Sequence, residues 1–333
     1  MYRRPAMIAT LLLITLLITA CDRSDSLTLY SGRGESMVKP IVERFEQATG
    51  IRVEVRYGGT SQLAVLLQEE GQRTPADLFW GQDAGAMGAL GKAGLLAPLP
   101  SDIYQDLPPI YSSETGRWVA ASGRARVFVY SPERTRSNAL PQSIFDLTDP
   151  HYKGRVGWAP TNGSFQSFVT AMRVKHGDEV TLKWLQDMKA NNAQVYRNNS
   201  TQVQAVADGQ IDFGIVNNYY LPRSIENDSD FPASQAFFQA GDIGNMVNVA
   251  GIGIIAGTDM QPEAEAFIRF LLSAEAQQYF TSTVYEYPVI GNVEQNPRLE
   301  SFEHLLDVAP SINLDDLEDL EGTLGLLRQA DLI

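Results

Sequence analysis

Asp212-Phe213-Gly214-Ile215-Val216-Asn217-Asn218-Tyr219-Tyr220 carries an apolar, β-rich stretch straight into two amides and two adjacent phenols. Just upstream, Asn198-Asn199-Ser200 opens the helical pattern 201–208, Gly209 stops it, and residues 211–216 read as a strand. Asn and Ser favour helix starts, and glycine favours helix ends, because each helps satisfy orphaned backbone groups. A helix followed by a short strand is the repeating unit of a sheet with helices packed on its faces. The unit recurs outward. Residues 154–158 form a strand ending at Pro160-Thr161-Asn162-Gly163-Ser164; helices follow from about residue 165 and over 180–191, and 194–196 lead back. Residues 126–130 are β-rich. Near the start, strand 27–30, helix 37–49 closed by Gly50, strand 51–57, helix 62–70 behind Gly58-Gly59-Thr60-Ser61 and strand 77–80 follow the same plan. Beyond the tyrosines come an apolar strand over 247–256 and helices over 262–272 and 275–281. The pattern predicts an α/β fold built on parallel strands, whose strand-to-helix turns gather at the sheet edge where ligands bind. No linker or internal repeat divides the chain, as expected if two lobes exchange it more than once.

The N-terminus is read separately. Arg3 and Arg4, the apolar run 7–20 and Ile18-Thr19-Ala20 before Cys21 mark residues 1–20 as a signal peptide. The run is too short and wrongly flanked to span a bilayer. Ile-Thr-Ala-Cys resembles the lipobox of bacterial lipoproteins. That implies cleavage before Cys21 and its acylation, tethering the protein to a membrane without spanning it; a stray exported thiol is the other reading. Roughly 310 residues then remain, enough for two cores. Net charge is −14, and the segment removed contains two arginines, so the mature chain is more acidic still. It offers no basic stripe for nucleic acid. Most of its carboxylates belong on solvated faces; Asp-Asp-Leu-Glu-Asp-Leu-Glu over 315–321, with leucines at helical spacing, reads as a solvated helix. Cys21 is the only cysteine, which excludes disulfides and thiolate metal sites. His151, His176 and His304 are scattered without metal-ligand spacing.

Enzyme signatures are missing: the chain has no GxSxG, HExxH or GxxxxGK[ST]. Gly251, Gly253 and Gly257 superficially match a dinucleotide loop, but they lie in an apolar run and read as a glycine-rich crossing strand. A Tyr-Tyr pair taken alone packs at a lobe surface more often than it binds anything.

The surroundings of the pair change that reading. Asn217-Asn218-Tyr219-Tyr220 at a strand end, Asn199-Ser200 before a Gln-Ala-Val helix, and the opening Leu29-Tyr30-Ser31-Gly32 resemble the ferric-ion-binding proteins of bacterial iron importers. So do Pro75-Ala76-Asp77-Leu78-Phe79, Leu96-Ala97-Pro98-Leu99-Pro100, Ser122-Gly123-Arg124-Ala125-Arg126-Val127, Pro160-Thr161-Asn162-Gly163 and Glu286-Tyr287-Pro288. The resemblance runs from about residue 27 to the C-terminus in consistent order. It implies the type II periplasmic-binding-protein fold, two α/β lobes joined by crossing hinge strands and closing over a cleft. The N-terminal lobe is expected over 27–125 plus about 250–300, and the C-terminal lobe over 126–249 plus about 301–333. It further implies a monomeric, extracytoplasmic (periplasmic) solute-binding lipoprotein that is not an enzyme. Such a protein captures Fe³⁺ with a synergistic small anion, carbonate, bicarbonate or phosphate, and hands it to an ABC transporter permease and its ATPase.

On the same resemblance, Tyr219 and Tyr220 are metal ligands. Asn162, Gly163, Ser164 and Asn199 match the anion positions, with plain helix capping as the alternative, and Arg124 and Arg126 either add charge there or serve as hinge arginines. The physics agrees, because Fe³⁺ is a hard ion that favours anionic oxygen. A phenol, neutral at pH 7, loses its proton beside such an ion. The chain departs from the family where some members use a histidine (here Gly34), a glutamate (here Gln82, beside Asp83) or a third tyrosine (here Phe165). Glu35 is the expected replacement metal ligand, with Asp83 and Tyr57 behind it, unless water or the anion makes up the deficit. Two other functions stay open: binding an organic or oxyanion solute such as a polyamine, thiamine or a phosphate ester, and sensing a ligand for a signalling system.

Overall fold

The computed structural model describes residues 26–333; the expected signal peptide, residues 1–20, and Cys21 lie outside the described residues. In chain order the strands are β1 (Ser26–Ser31), β2 (Arg52–Tyr57), β3 (Leu78–Trp80), β4 (Val119–Tyr130), β5 (Val156–Trp158), β6 (Gln194–Val195), β7 (Phe213–Asn217), β8 (Ser234–Ala236) and β9 (Val247–Ile254). They hydrogen-bond in the order β2-β1-β3-β9-β4-β7-β5-β6, with β8 added to β4. In the first lobe β1 runs parallel to β2 and β3; in the second β5 runs parallel to β6 and β7. The two crossing strands break the all-parallel expectation, since β9 is antiparallel to β3 and to β4, and β4 is antiparallel to β7.

Local sequence explains these elements. Leu27 and Leu29 of the central strand β1 are fully buried, whereas β2, at the sheet edge, buries Val53 and exposes its charged neighbours. Alternation of this kind marks a strand with one wet face. Helix Glu35–Thr49 buries Val38, Ile41, Val42 and Phe45 on one stripe and ends at Gly50, whose φ of 74° a glycine adopts without strain. In the second lobe Trp158, Phe165, Phe168 and Trp184 form an aromatic core beneath helices Gly163–His176 and Asp178–Ala190.

Strand β4 joins the lobes. Residues 119–125 pair with β9, and residues 126–130 pair with β7. Only 126–130 read as strand from sequence, because Val119-Ala120-Ala121-Ser122-Gly123-Arg124-Ala125 is small and polar; it becomes a buried strand through contacts from both lobes. β9, with Gly251 and Gly253, is the second crossing strand.

The C-terminal tail departs from expectation. The resemblance places about 301–333 in the second lobe, and the sequence pattern predicts a solvated helix over 315–321. Instead a short 3₁₀ turn, Leu314–Asp316, packs on first-lobe helix Ala84–Lys92, and helix Leu320–Gln329 packs on second-lobe helix Gly163–His176. Leu314 and Leu317 are buried. A three-residue leucine spacing suits a 3₁₀ turn as well as a helix, so only the tertiary partner distinguishes them.

Candidate functional site

Tyr219 and Tyr220 leave the C-terminal end of β7, where helix Tyr220–Asn227 begins. Their rings lie 4.5 Å apart, tilted by 33°. The two amides before them divide the work of holding them. Asn218 Oδ1 accepts from Ala125 N at 2.9 Å and its Nδ2 donates to the Tyr285 carbonyl at 3.1 Å, tying the turn to the crossing strand. Asn217 Nδ2 donates to Tyr219 Oη at 3.3 Å. Burial above all, then the neighbouring Tyr219, pushes the Tyr220 phenol well above its ordinary range, while Asn199 and Arg223 pull the other way. Tyr220 is therefore neutral near pH 7.

These phenols open on a cleft of about 340 Å³ between the lobes. The second-lobe wall continues through Asn162, Gly163 and Ser164 at the start of helix Gly163–His176. Asn162 Oδ1 accepts from Ser164 N at 3.1 Å and from Ser164 Oγ at 2.6 Å, which is the capping geometry. No atom lies within 4 Å of where a Gly163 side chain would begin, so the backbone there faces open space. Asn199 is fully buried behind this wall and donates to Ser164 Oγ at 3.4 Å.

Arg124 and Arg126, two apart on β4, share a strand face but have different surroundings. Arg124 lines the cleft, 3 % exposed, and its Nη1 meets no partner. Arg126 does not reach the wall. Its Nη2 donates to the Ile215 carbonyl at 2.8 Å, and its guanidinium lies over Phe168 at 5.3 Å and Phe165 at 5.7 Å. Burial pulls its pKa down to about 9, against the opposing pull of the two phenols. It is a cation set behind Tyr219 and Tyr220, outside the cleft lining. Phe165, at the third-tyrosine position, is part of the aromatic core that holds it.

The first-lobe wall comes from Gly59, Thr60, Ser61 and Gln62 and from Gln82 and Asp83. Thr60 Oγ1 accepts from Gln82 N at 3.1 Å, binding the two loops together. Asp83 Oδ1 caps helix Ala84–Lys92 by accepting from Ala86 N. Asp83 is the only carboxylate in the wall. Glu35 is not brought to the phenols: it is an exposed first-turn acid, placed where the helix dipole favours it. Its charge falls instead on Tyr57, whose phenol is raised by burial and by Glu35. Among the described residues no three His, Cys, Asp or Glu side chains converge to hold a metal, so oxygen donors of other kinds would have to contribute.

Sequence reading named no site role for Gly59, Thr60, Ser61 and Gln62 of the first-lobe wall, nor for Ser167 and Arg223. Ser167 lines the cleft one turn into its helix. Arg223 stands 4.8 Å over the Tyr219 ring and donates to the Val284 carbonyl; its i+4 spacing from Tyr219 was the available signal.

Two α/β lobes, two crossing strands and a polar cleft between them define a solute-binding protein. The chain belongs to the bacterial extracellular solute-binding protein family, whose model matches residues 30–278. That family binds solutes for transport and is not one of enzymes. The chain is 32% identical to the Fe(3+)-binding periplasmic protein of Serratia marcescens, across 98% of this chain and 97% of that one. It is also similar to the iron-bound structure of HitA from Pseudomonas aeruginosa, with a TM-score of 0.83 and 33% identity, covering 92% of this chain and 99% of the other. A Trichodesmium protein (IdiA, FutA) in complex with iron and citrate superposes with a TM-score of 0.82 at 26% identity, covering 92% and 100%. The type II periplasmic-binding-protein fold is thereby shown.

Proposed function

We propose that this chain captures ferric ion in the interlobe cleft, closes on it, and delivers it to an ABC permease driven by a cytoplasmic ATPase. The observation carrying the reading is the pair of phenols 4.5 Å apart in a cleft whose remaining wall offers hydroxyls, amides, one guanidinium and one carboxylate. Full-length likeness to iron-binding relatives supports it. Tyr219 and Tyr220 lose their protons to the incoming cation and bind it as phenolates, so the empty cleft need not hold two permanent charges. Arg126 stabilises them from behind. Asp83, already in the wall, supplies a first-lobe oxygen in place of Glu35. Arg124 Nη1, Ser164 and the Gly163 backbone take a small anion, carbonate, bicarbonate, phosphate or a carboxylic acid, which fills the remaining coordination positions. Asn199 orients Ser164 and Tyr220. Acylated Cys21 holds the monomer at the membrane while the lobes work outside it.

The unpartnered Arg124 nitrogen beside a helix N-terminus also favours a second reading, in which an oxyanion such as a phosphate ester is the solute itself. A visible-absorption titration with ferric citrate decides between them, using the mature chain without its lipid, from Asp22 onward. Ferric capture predicts a phenolate-to-iron band that saturates at a single equivalent and is lost or strongly shifted in Tyr219→Phe and Tyr220→Phe. Asp83→Asn, which keeps the helix cap, weakens binding, and Glu35→Ala leaves it unchanged. A folded protein that develops no band sinks the two-tyrosine mechanism and leaves the oxyanion reading.

A further inference from the structure

The stretch from Leu314 to Leu320 lies across both lobes. On the first lobe, Asp315 Oδ1 accepts from Trp118 Nε1 at 2.6 Å and Oδ2 from Glu114 N at 3.0 Å. Lys92 pairs with Glu318 and, at 3.6 Å, with Asp316. The backbone rests directly on helix Ala84–Lys92, because Gly85 and Gly88 face it without side chains. A β-carbon on Gly88 would stand 2.6 Å from the Asp315 carbonyl oxygen, and one on Gly85 2.4 Å from that of Leu317. On the second lobe, Arg173 donates to the Asp319 carbonyl and to its Oδ2, each at 2.9 Å, and Thr323 Oγ1 meets Thr170 Oγ1 at 2.8 Å.

Glu318 and Asp319 are thus consecutive residues held by opposite lobes. Neighbouring Cα atoms are ~3.8 Å apart across a trans peptide, so the lobes cannot part here by more than a few ångströms before an attachment breaks. The location matters. A cavity of about 250 Å³ closed by Leu317, Glu318 and Leu320 is also lined by Ser61, Asp83, Gly163 and Ser167, which line the phenol cleft as well. The stretch therefore closes a cavity that adjoins the cleft and shares its walls.

We propose that residues 314–319 form a strap that restrains opening of the cleft, a link between the lobes additional to β4 and β9, and that it gives way on the first-lobe side. The two attachments are unequal. The second-lobe end is a ten-residue helix, Leu320–Gln329, finished by Lys189 donating to the carbonyls of Ala330 and Asp331. The first-lobe end is one 3₁₀ turn fastened at its rim by the half-exposed Lys92. Exposed ion pairs hold weakly, which suits a fastening that must release. The restraint itself does not depend on the solute; only its effect on iron release rests on the ferric reading.

Two variants of the same soluble form test this, both outside the cleft wall. Gly88→Ala drives the strap off its helix, and Lys92→Ala/Asp315→Ala removes its fastenings while leaving the backbone alone. Small-angle X-ray scattering of the ligand-free proteins should give a larger radius of gyration in each folded variant than in wild type. After iron loading, a chelator challenge should bleach the phenolate band about 5-fold faster, the size of an exposed ion pair, with the band position unmoved. If Gly88→Ala fails to fold, the double variant decides. Wild-type dimensions and release rate in a folded variant overturn the strap. A larger radius with no iron band in any form, wild type included, upholds the strap and overturns the ferric reading instead.

Discussion

The rings of Tyr219 and Tyr220 lie 4.5 Å apart, burial and the neighbouring Tyr219 oppose charging the Tyr220 phenol, and a phenol is neutral near pH 7. A cation that binds both must therefore displace a proton from each. Ferric affinity should then fall as pH falls, by about 100-fold per unit, because two protons compete with one metal ion. Competition against a chelator of known protonation, run between pH 6.5 and 7.5, should give a slope near two for wild type and near one for either Tyr→Phe variant; a flat profile would rule out phenolate ligation. Arg126 enters the same balance. Arg126→Leu keeps contact with Phe165 and Phe168 but removes the positive charge behind the phenols, so iron should bind more weakly and the pH profile should move to higher pH. At this scale the residue types were legible in the sequence: adjacent phenols at a strand end after two amides need no coordinates to be noticed. Which acid faces them was not. The sequence favours Glu35 over Asp83, and only the placement of two loops against each other puts Asp83 in the wall and Glu35 in solvent.

Among the elements, the segment after helix Ala274–Tyr279 links most of the hinge. Arg33 Nη2, just past β1, donates to both oxygens of Glu286 at 2.8 and 2.9 Å, and Ser122 Oγ of β4 donates to the same carboxylate. Tyr287 pairs with Gly123 of β4 through two backbone hydrogen bonds of 2.8 and 2.7 Å. Burial alone would raise the Glu286 carboxyl, but Arg33, Arg124 and Ser122 outweigh it and hold the group below its ordinary value. A carboxyl held low in the folded state stabilises the protein above its unfolded pKa of about 4.3 and loses that contribution as pH falls through the folded value. Glu286→Gln leaves Arg33 buried without its counter-charge, which should cost ~3–5 kcal/mol. Thermal unfolding at pH 7 measures it, and the gap from wild type should narrow below pH 4; a loss under ~1 kcal/mol would mean that the pair contributes no more than a surface bridge. Periodicity located the helices on either side, yet nothing in Glu286-Tyr287-Pro288 names Arg33 as partner. The pair joins residues 253 apart in sequence, and long-range pairs leave no local pattern.

Across the whole molecule, the proposed capture is a rotation of two lobes about β4 and β9, with the proposed C-terminal strap setting how far they part. Loading with ferric citrate should reduce the radius of gyration of wild type, and Tyr219→Phe/Tyr220→Phe should keep its ligand-free dimensions under the same conditions. The sequence by itself determined the α/β class, the strand-to-helix turns that build the cleft, the paired phenols and the acidic balance, because these follow from local pattern, turn chemistry and residue type. Tertiary structure alone decided the rest. It turned the small, polar residues 119–125 into a crossing strand, separated Arg124 in the cleft wall from Arg126 behind the phenols, and drew an acidic, leucine-spaced run across both lobes. In each case the deciding partner lies far away in the chain, so the energy that selects the conformation is absent until the lobes assemble.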